Sequence, residues 1–119
     1  KVCDHLNYDN GFVTASEGVV VASADADDKN ERGANGLVRA VNATDGSPLW
    51  SYRPPKPVWN FMASFPGDGT VLYQDWTGRA YRHNLFDGSL LWASGGGEGS
   101  WTDGTPLLAG DVFYTVVAV

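Results

Sequence analysis

One stretch of this sequence occurs twice, and the repeat constrains the fold more than any other feature. Its copies span residues 36–50 and 78–92, and Gly, Asn, Asp, Gly, Ser, Leu and Trp recur in register. Asp45 and Asp87, at matching places, are 42 residues apart. A fixed period of this kind predicts that the chain consists of copies of one supersecondary unit packed beside each other.

Short apolar runs separated by glycine turns fill each copy. A glycine precedes such a run at Gly18, Gly69 and Gly110, and Asp-Gly pairs follow at residues 45–46 and 87–88. These signals are typical of β-hairpins, and the sequence has no helical period of useful length. The predicted strands cover residues 12–15, 19–23, 37–42, 49–52, 61–65, 70–75, 79–84, 90–93, 106–109 and 112–117.

The length of the period indicates the architecture. A unit of 42 residues suits one four-stranded blade of a propeller. The sequence therefore predicts an all-β, partial β-propeller of about two and a half four-stranded antiparallel blades. The blades are residues 11–53, residues 60–94 and the start of a third at residues 104–119.

The first copy contains a motif that resembles a known family. Its residues read Ala40-x-Asn42-x-x-Asp45-Gly46-x-x-x-Trp50. This is similar to the tryptophan-docking motif of the PQQ-like (quinoprotein-type) β-propeller repeats, Ala-x-Asp-x-x-Thr-Gly-x-x-x-Trp. Asn and Asp stand here in place of the family's Asp and Thr.

The second copy departs further from the family pattern. It keeps Gly88 and Trp92, but it has Arg82, Asn84 and Asp87 at the other three places. The resemblance implies that each indole docks against a neighbouring blade, and the alternative is an ordinary tryptophan in a sandwich core. The residues expected to act in docking are Ala40, Gly46, Trp50, Gly88 and Trp92.

The number of blades bears on function. Closed propellers use roughly four to eight blades, whereas this chain supplies fewer than three. Stacked repeats depend on their neighbours, so we expect a fragment of a larger propeller or a subunit completed by other protein chains. The predicted function is a non-catalytic scaffold or protein-interaction module. The resemblance favours an exported, periplasmic or lumenal compartment.

The alternative is a fragment of a PQQ-dependent dehydrogenase. The resemblance implies that such an enzyme binds PQQ on its central axis, holds calcium through Glu and Asn, uses an Asp as base and often has a disulfide of adjacent cysteines. This sequence has no Cys-Cys pair, and its glutamates are Glu17, Glu31 and Glu98. We therefore expect no catalytic residue and no cofactor in this chain unless the alternative holds.

The first copy also contains a polar insertion between its second and third strands. Asp25, Asp27 and Asp28 are weak candidates for oxygen ligands of Ca²⁺, although the spacing fails the EF-hand pattern. A solvated acidic loop is the alternative. Together with Glu31, these residues form a possible partner contact, because the insertion is the one departure from the repeat period.

Charge and hydropathy exclude two classes of partner. The net charge is −6, which is unsuited to general nucleic-acid binding, and no apolar run reaches the length of a membrane-spanning helix. The two histidines, His5 and His83, share no metal-ligand spacing. A last group of aromatic residues could form a stacking surface or pack between blades: Trp59, Phe61, Trp76 and Trp101.

Overall fold

A computed structural model describes residues 12–24 and 36–119 of the chain. This part is built from β-strands and contains no helix, which confirms the all-β prediction. The strands are β1 (Thr14–Ser16), β2 (Val19–Ala24), β3 (Leu37–Asn42), β4 (Pro48–Tyr52), β5 (Thr70–Gln74), β6 (Ala80–Asn84), β7 (Leu90–Ser94), β8 (Leu107–Ala109) and β9 (Val112–Tyr114).

The strands form three antiparallel sheets in chain order. The first is β1-β2-β3-β4, the second is β5-β6-β7 and the third is β8-β9. Glu17 and Gly18 join β1 to β2 with φ values of 50° and 80°, the left-handed pair that a two-residue hairpin turn requires. Neighbouring strands are therefore also neighbours in sequence, as in an up-and-down blade.

The repeat in sequence is also a repeat in backbone geometry. In the first sheet the register shifts between Ala40 and Val41, and in the second it shifts between Arg82 and His83, at the matching place. A bulge of this kind bends and twists the strand that carries it. Both sheets therefore bend at the same point, just before the turn that leads into their last strand.

The second sheet differs from the prediction at its first strand. Residues 61–65 were expected to pair along their length, but only Ser64 forms a bridge, to Leu72. Upstream, Asn60 adopts a φ of 46°, and the carbonyl of Phe61 accepts a hydrogen bond from Phe12 N at 2.8 Å. The backbone of this segment is thus shared between two partners, so the second sheet has three strands.

The third sheet is shorter than predicted. Residues 112–117 were expected to form one strand, but β9 ends at Tyr114. Beyond it, Thr115 Oγ1 donates to Gln74 Oε1 of β5 at 2.5 Å, and Val117 lies against Gly78. Strand β9 therefore ends at Tyr114, since the residues after it contact the second sheet instead of pairing with β8.

The apolar core lies between the first and second sheets. Strand β5 is buried along its whole length, which requires cover on both of its faces. The Val71 and Tyr73 side chains face the first sheet, and Gln74 Nε2 donates to Gly104 O at 2.8 Å on the side of the third. The core residues are Val19, Val21, Val38, Ala40, Val58, Phe61, Ala63, Val71, Tyr73, Tyr81 and Leu85.

Some predicted features lie outside the described residues. They are His5 and the acidic insertion, with Asp25, Asp27, Asp28 and Glu31. Across residues 12–24 and 36–119, no helix has the length and apolar character needed to cross a membrane.

Candidate functional site

The turn after β3 and the turn after β6 share one set of hydrogen bonds. Asp45 Oδ1 accepts from Ser47 N at 2.9 Å and from Ser47 Oγ at 2.7 Å. Asp87 Oδ1 accepts from Ser89 N at 2.8 Å and from Ser89 Oγ at 2.7 Å. These bonds lower the pKa of both carboxyl groups, because they stabilise the charged form. Each Asp therefore fixes its own turn.

The glycines of these turns have the same backbone conformation but different surroundings. Gly46 has a φ of 73° and Gly88 a φ of 74°, both in the left-handed region that glycine tolerates best. A Cβ placed on Gly88 would lie 2.6 Å from the Trp50 ring. One placed on Gly46 would meet no described atom within 4 Å. Gly88 is thus required by close packing as well as by the turn.

Trp50 connects the first sheet to the second. It lies on β4, opposite the buried Ala40 of β3, and its ring covers Gly88. Its Nε1 donates to the carbonyl oxygen of Leu85 at 2.7 Å. The indole therefore combines apolar contact with a hydrogen bond for its partly buried N–H.

His83 lies at the centre of this interface, fully buried on β6. Its ring stacks on Trp50 with a centroid distance of 5.7 Å and an interplanar angle of 15°. Tyr52 meets the same ring edge-on at 4.5 Å, and the Tyr73 ring is stacked nearly parallel to it at 5.4 Å. An aromatic layer thus joins the two sheets, with β4 contributing one side and β5 and β6 the other.

The hydrogen bonds of His83 define its protonation. Nδ1 lies 2.9 Å from the carbonyl oxygen of Gly88, and Nε2 lies 2.8 Å from Tyr73 Oη. A carbonyl can only accept, so Nδ1 carries the hydrogen and Nε2 of the neutral ring accepts from the tyrosine. Burial lowers the pKa of His83, and the bond to Gly88 opposes this in part. The neutral imidazole satisfies both partners.

Asp75, just beyond β5, is a buried carboxylate that the sequence did not reveal as important. Its Oδ1 accepts from Thr77 N at 2.9 Å and Thr77 Oγ1 at 2.6 Å, and its Oδ2 accepts from Tyr81 Oη at 2.7 Å. Burial, and then this bond to Asp75, raise the pKa of Tyr81. An Asp two residues before a Thr is a turn signal that could have identified it.

The second copy of the motif has different surroundings. Trp92, on β7, pairs across the sheet with Arg82, which stands where the first copy has Ala40. Arg82 forms an ion pair with Asp68. Trp92 is 38% exposed, and its indole makes no hydrogen bond or ring contact with a described residue, whereas that of Trp50 bonds Leu85 O. Other exposed apolar residues are Leu90 and Leu91 on β7, and Leu107, Val112, Tyr114 and Val116 in and after the third sheet.

The structure thus brings together three of the five predicted docking residues, Trp50, Gly88 and Ala40. Gly46 and Trp92 each lie on a surface that the described residues leave open. Within residues 12–24 and 36–119, no three His, Cys, Asp or Glu side chains converge as a metal site would require.

Comparison with known proteins identifies the fold. No protein-family model and no curated protein matches the chain. Among solved structures, the crystal structure of BamB from Moraxella catarrhalis matches with a TM-score of 0.63 at 14% sequence identity. The alignment covers 87% of this chain but 27% of that chain. The described sheets are thus part of a β-propeller fold, and the chain spans about a quarter of the length of the structure it matches.

Proposed function

We propose that this chain is a non-catalytic β-propeller scaffold that binds other protein segments through its open sheet face and edges. The observation that carries the proposal is the difference between two equivalent tryptophans. Trp50 is covered by the next sheet and hydrogen-bonded to Leu85, whereas Trp92 is 38% exposed. The second sheet therefore carries a tryptophan at the equivalent place, beside Arg82 instead of an alanine, and its indole has no hydrogen-bond partner among the described residues.

Exposed apolar side chains support this function. Leu91 on β7 is 53% exposed, and Tyr114 on β9 is 55% exposed. An edge strand that exposes large apolar side chains, as β7 does, is typical of an interaction site, because an unpaired strand edge can add a strand from another segment. In the proposal, further blades of the same polypeptide or other protein chains cover this surface. The acidic insertion around Asp27 is a second contact element.

Site-specific photo-crosslinking tests the proposal. A photoreactive amino acid replaces Leu91 in the native polypeptide at its full length, and the matched control carries it at Ala43, in an exposed turn of the first unit. We expect position 91 to give discrete adducts with a protein segment outside the described sheets. Position 43 should give fewer.

Equal and diffuse labelling at both positions would refute the scaffold proposal. Turnover of an alcohol or sugar by the same polypeptide after addition of PQQ and Ca²⁺ would favour the dehydrogenase alternative instead. The two results are distinguishable, because crosslinking reports contact and the assay reports chemistry.

A further inference from the structure

An aromatic groove is formed by the loops next to the second sheet, at residues 56–59, 76–77 and 97–103. It has a volume of about 580 Å³. Three of the five tryptophans in the chain line it, together with three charged side chains. These residues, which we call the tryptophan groove, are Trp59, Trp76, Trp101, Lys56, Glu98 and Asp103.

Backbone and side-chain hydrogen bonds hold the walls of the tryptophan groove in place. Trp76 N donates to Pro57 O at 2.8 Å, and Thr102 N donates to Trp76 O at 2.7 Å. Asn60 Nδ2 donates to Asp103 O at 2.8 Å. Asn60 is also one of two non-glycine residues with positive φ among those described, a strained conformation that often accompanies binding sites. The groove is therefore preorganised.

The tryptophans provide both apolar walls and an unused donor. The rings of Trp59 and Trp76 lie 4.7 Å apart at an angle of 59°, and Trp101 is 48% exposed. The Nε1 of Trp76 is buried and has no acceptor among the described residues. A buried N–H without a partner is unfavourable, so a ligand carbonyl reached by a shift of the Trp76 ring would gain a hydrogen bond here.

The tryptophan groove continues into a second cavity of about 560 Å³. Both cavities are lined by Lys56, Thr77 and Glu98, whereas Arg79 lines only the second cavity. An extended ligand fits two adjoining cavities better than a compact one does. The tryptophan groove itself has two carboxylates, of Glu98 and Asp103, and one ammonium group, of Lys56. This net negative charge favours positive charge on the part of the ligand that lies there.

We propose that the tryptophan groove binds a proline-rich protein segment in the polyproline II conformation with a basic flank. Such a segment has no internal hydrogen bonds, so its carbonyl groups are free to accept from an indole N–H. Proline rings pack between aromatic walls, and the fixed φ of proline lowers the entropy lost on binding. The basic flank pairs with Glu98 and Asp103.

This site goes beyond the scaffold function proposed above. The groove shares no residue with the exposed surface around Leu91 and Trp92. Failure of the groove to bind peptide would leave crosslinking at position 91 unaffected, and the reverse also holds.

Peptide titration of the native polypeptide at its full length tests the proposal. The probe is a twelve-residue peptide with two Pro-x-x-Pro repeats and an arginine at each end, at about 0.1 M salt, where surface charges act over about 10 Å. The control peptide has every proline replaced by alanine and the same charge. Binding is followed by tryptophan fluorescence and by calorimetry.

Three variants locate the binding site. Trp101→Ala removes one wall, and the double change E98Q/D103N removes the carboxylates. Phe86→Ala, at an aromatic residue that is 51% exposed outside the groove, is the matched control. We expect Trp101→Ala to weaken binding about tenfold, as for an aromatic hot spot. E98Q/D103N should weaken binding and flatten its salt dependence, and Phe86→Ala should leave binding unchanged.

Several results would overturn the proposal. These are equal affinity for the alanine peptide, unchanged binding in Trp101→Ala with folding intact, or no binding to any proline-rich probe. Tighter binding of a neutral oligosaccharide would assign the groove to a different ligand class. Near-UV circular dichroism of each variant separates loss of binding from loss of fold.

Discussion

The indole of Trp50 donates a hydrogen bond to the carbonyl oxygen of Leu85, 35 residues further along the chain, at 2.7 Å. This bond links the last strand of the first sheet to the turn that follows β6. The same turn places Gly88 under the indole ring. One side chain thus joins two copies of a repeat, and its own repeat partner, Trp92, is exposed.

Removing the hydrogen bond without removing the ring should cost part of the interface stability. Trp50→Phe keeps an aromatic ring but leaves the Leu85 carbonyl without its donor, so we expect a loss of about 1–3 kcal/mol in the free energy of unfolding. Trp50→Ala should lose about 3–5 kcal/mol because it also leaves a cavity. Urea denaturation measures both. Trp92→Ala should cost less than Trp50→Ala in this chain, and a larger loss would contradict the assigned role of Trp50.

The two turn glycines provide a matched pair. Gly46→Ala introduces only backbone strain, because the φ is 73° and no described atom lies within 4 Å of the new methyl group. We expect a cost of about 1–2 kcal/mol. Gly88→Ala adds a contact of 2.6 Å with the Trp50 ring, and overpacking of this kind costs about a further 1–3 kcal/mol. Equal melting temperatures for the two variants would show that the contact between residue 88 and the Trp50 ring does not affect stability.

The stability of the interface should depend on pH through His83. Burial lowers its pKa below the usual 6.5, so the unfolded chain takes up a proton at a higher pH than the folded chain does. The stabilisation is complete above pH 6.5 and is lost as pH falls through the lower pKa of the folded state. Thermal unfolding measured between pH 8 and 5, at intervals of about half a unit, checks this prediction. His83→Gln should flatten the profile in that range.

The aspartates of the two turns should affect stability in a different pH range, below that of His83. The pKa values of Asp45 and Asp87 lie below 3.8 because Ser47 and Ser89 donate to them. Their contribution is present above pH 3.8 and is lost as pH falls through the folded-state values. Ser47→Ala should therefore reduce the loss of stability at acidic pH without altering the profile near pH 6.5, because the Ser89 turn, not the Ser47 turn, provides the Gly88 carbonyl that bonds His83. A change near pH 6.5 would show that the turn and His83 are coupled.

Asp75 should stabilise the fold through its buried carboxylate. Asp75→Asn keeps the size of the side chain but replaces one acceptor oxygen with a donor, so that Thr77 and Tyr81 compete for fewer acceptors. We expect a loss of about 1–3 kcal/mol in the free energy of unfolding. Tyr81→Phe is the companion variant, and the double variant should lose less than the sum of the two single losses. Additive losses would contradict a direct interaction.

The strand pattern was largely predictable because it rests on local signals. The Asp-Gly pairs and the 42-residue period indicated hairpins, and the structure has strands at nearly all the predicted places. The exceptions have non-local causes. Residues 61–65 lose most of their strand pairing because the Phe61 carbonyl accepts a hydrogen bond from Phe12 N. Strand β9 ends early because residues 115–117 contact the second sheet.

The aromatic interface could not be predicted in the same way. The sequence places His83 in a strand, but its partners Trp50 and Tyr52 belong to another sheet, and only the packing of the sheets brings these rings together. The buried state of Asp75 has the same origin. Local motifs give turns and strands, whereas burial and ring contacts depend on how the copies pack.

The central proposal is that the surface around Trp92 is covered in the native protein, as the second sheet covers Trp50. Hydroxyl-radical footprinting of the native protein, isolated with any protein chains bound to it, compared with residues 1–119 alone, tests it most directly. We expect oxidation of Trp92 and Tyr114 to fall strongly in the native polypeptide, with Phe86 as an exposed reference in both samples. Equal oxidation of Trp92 in the two samples would contradict the claim.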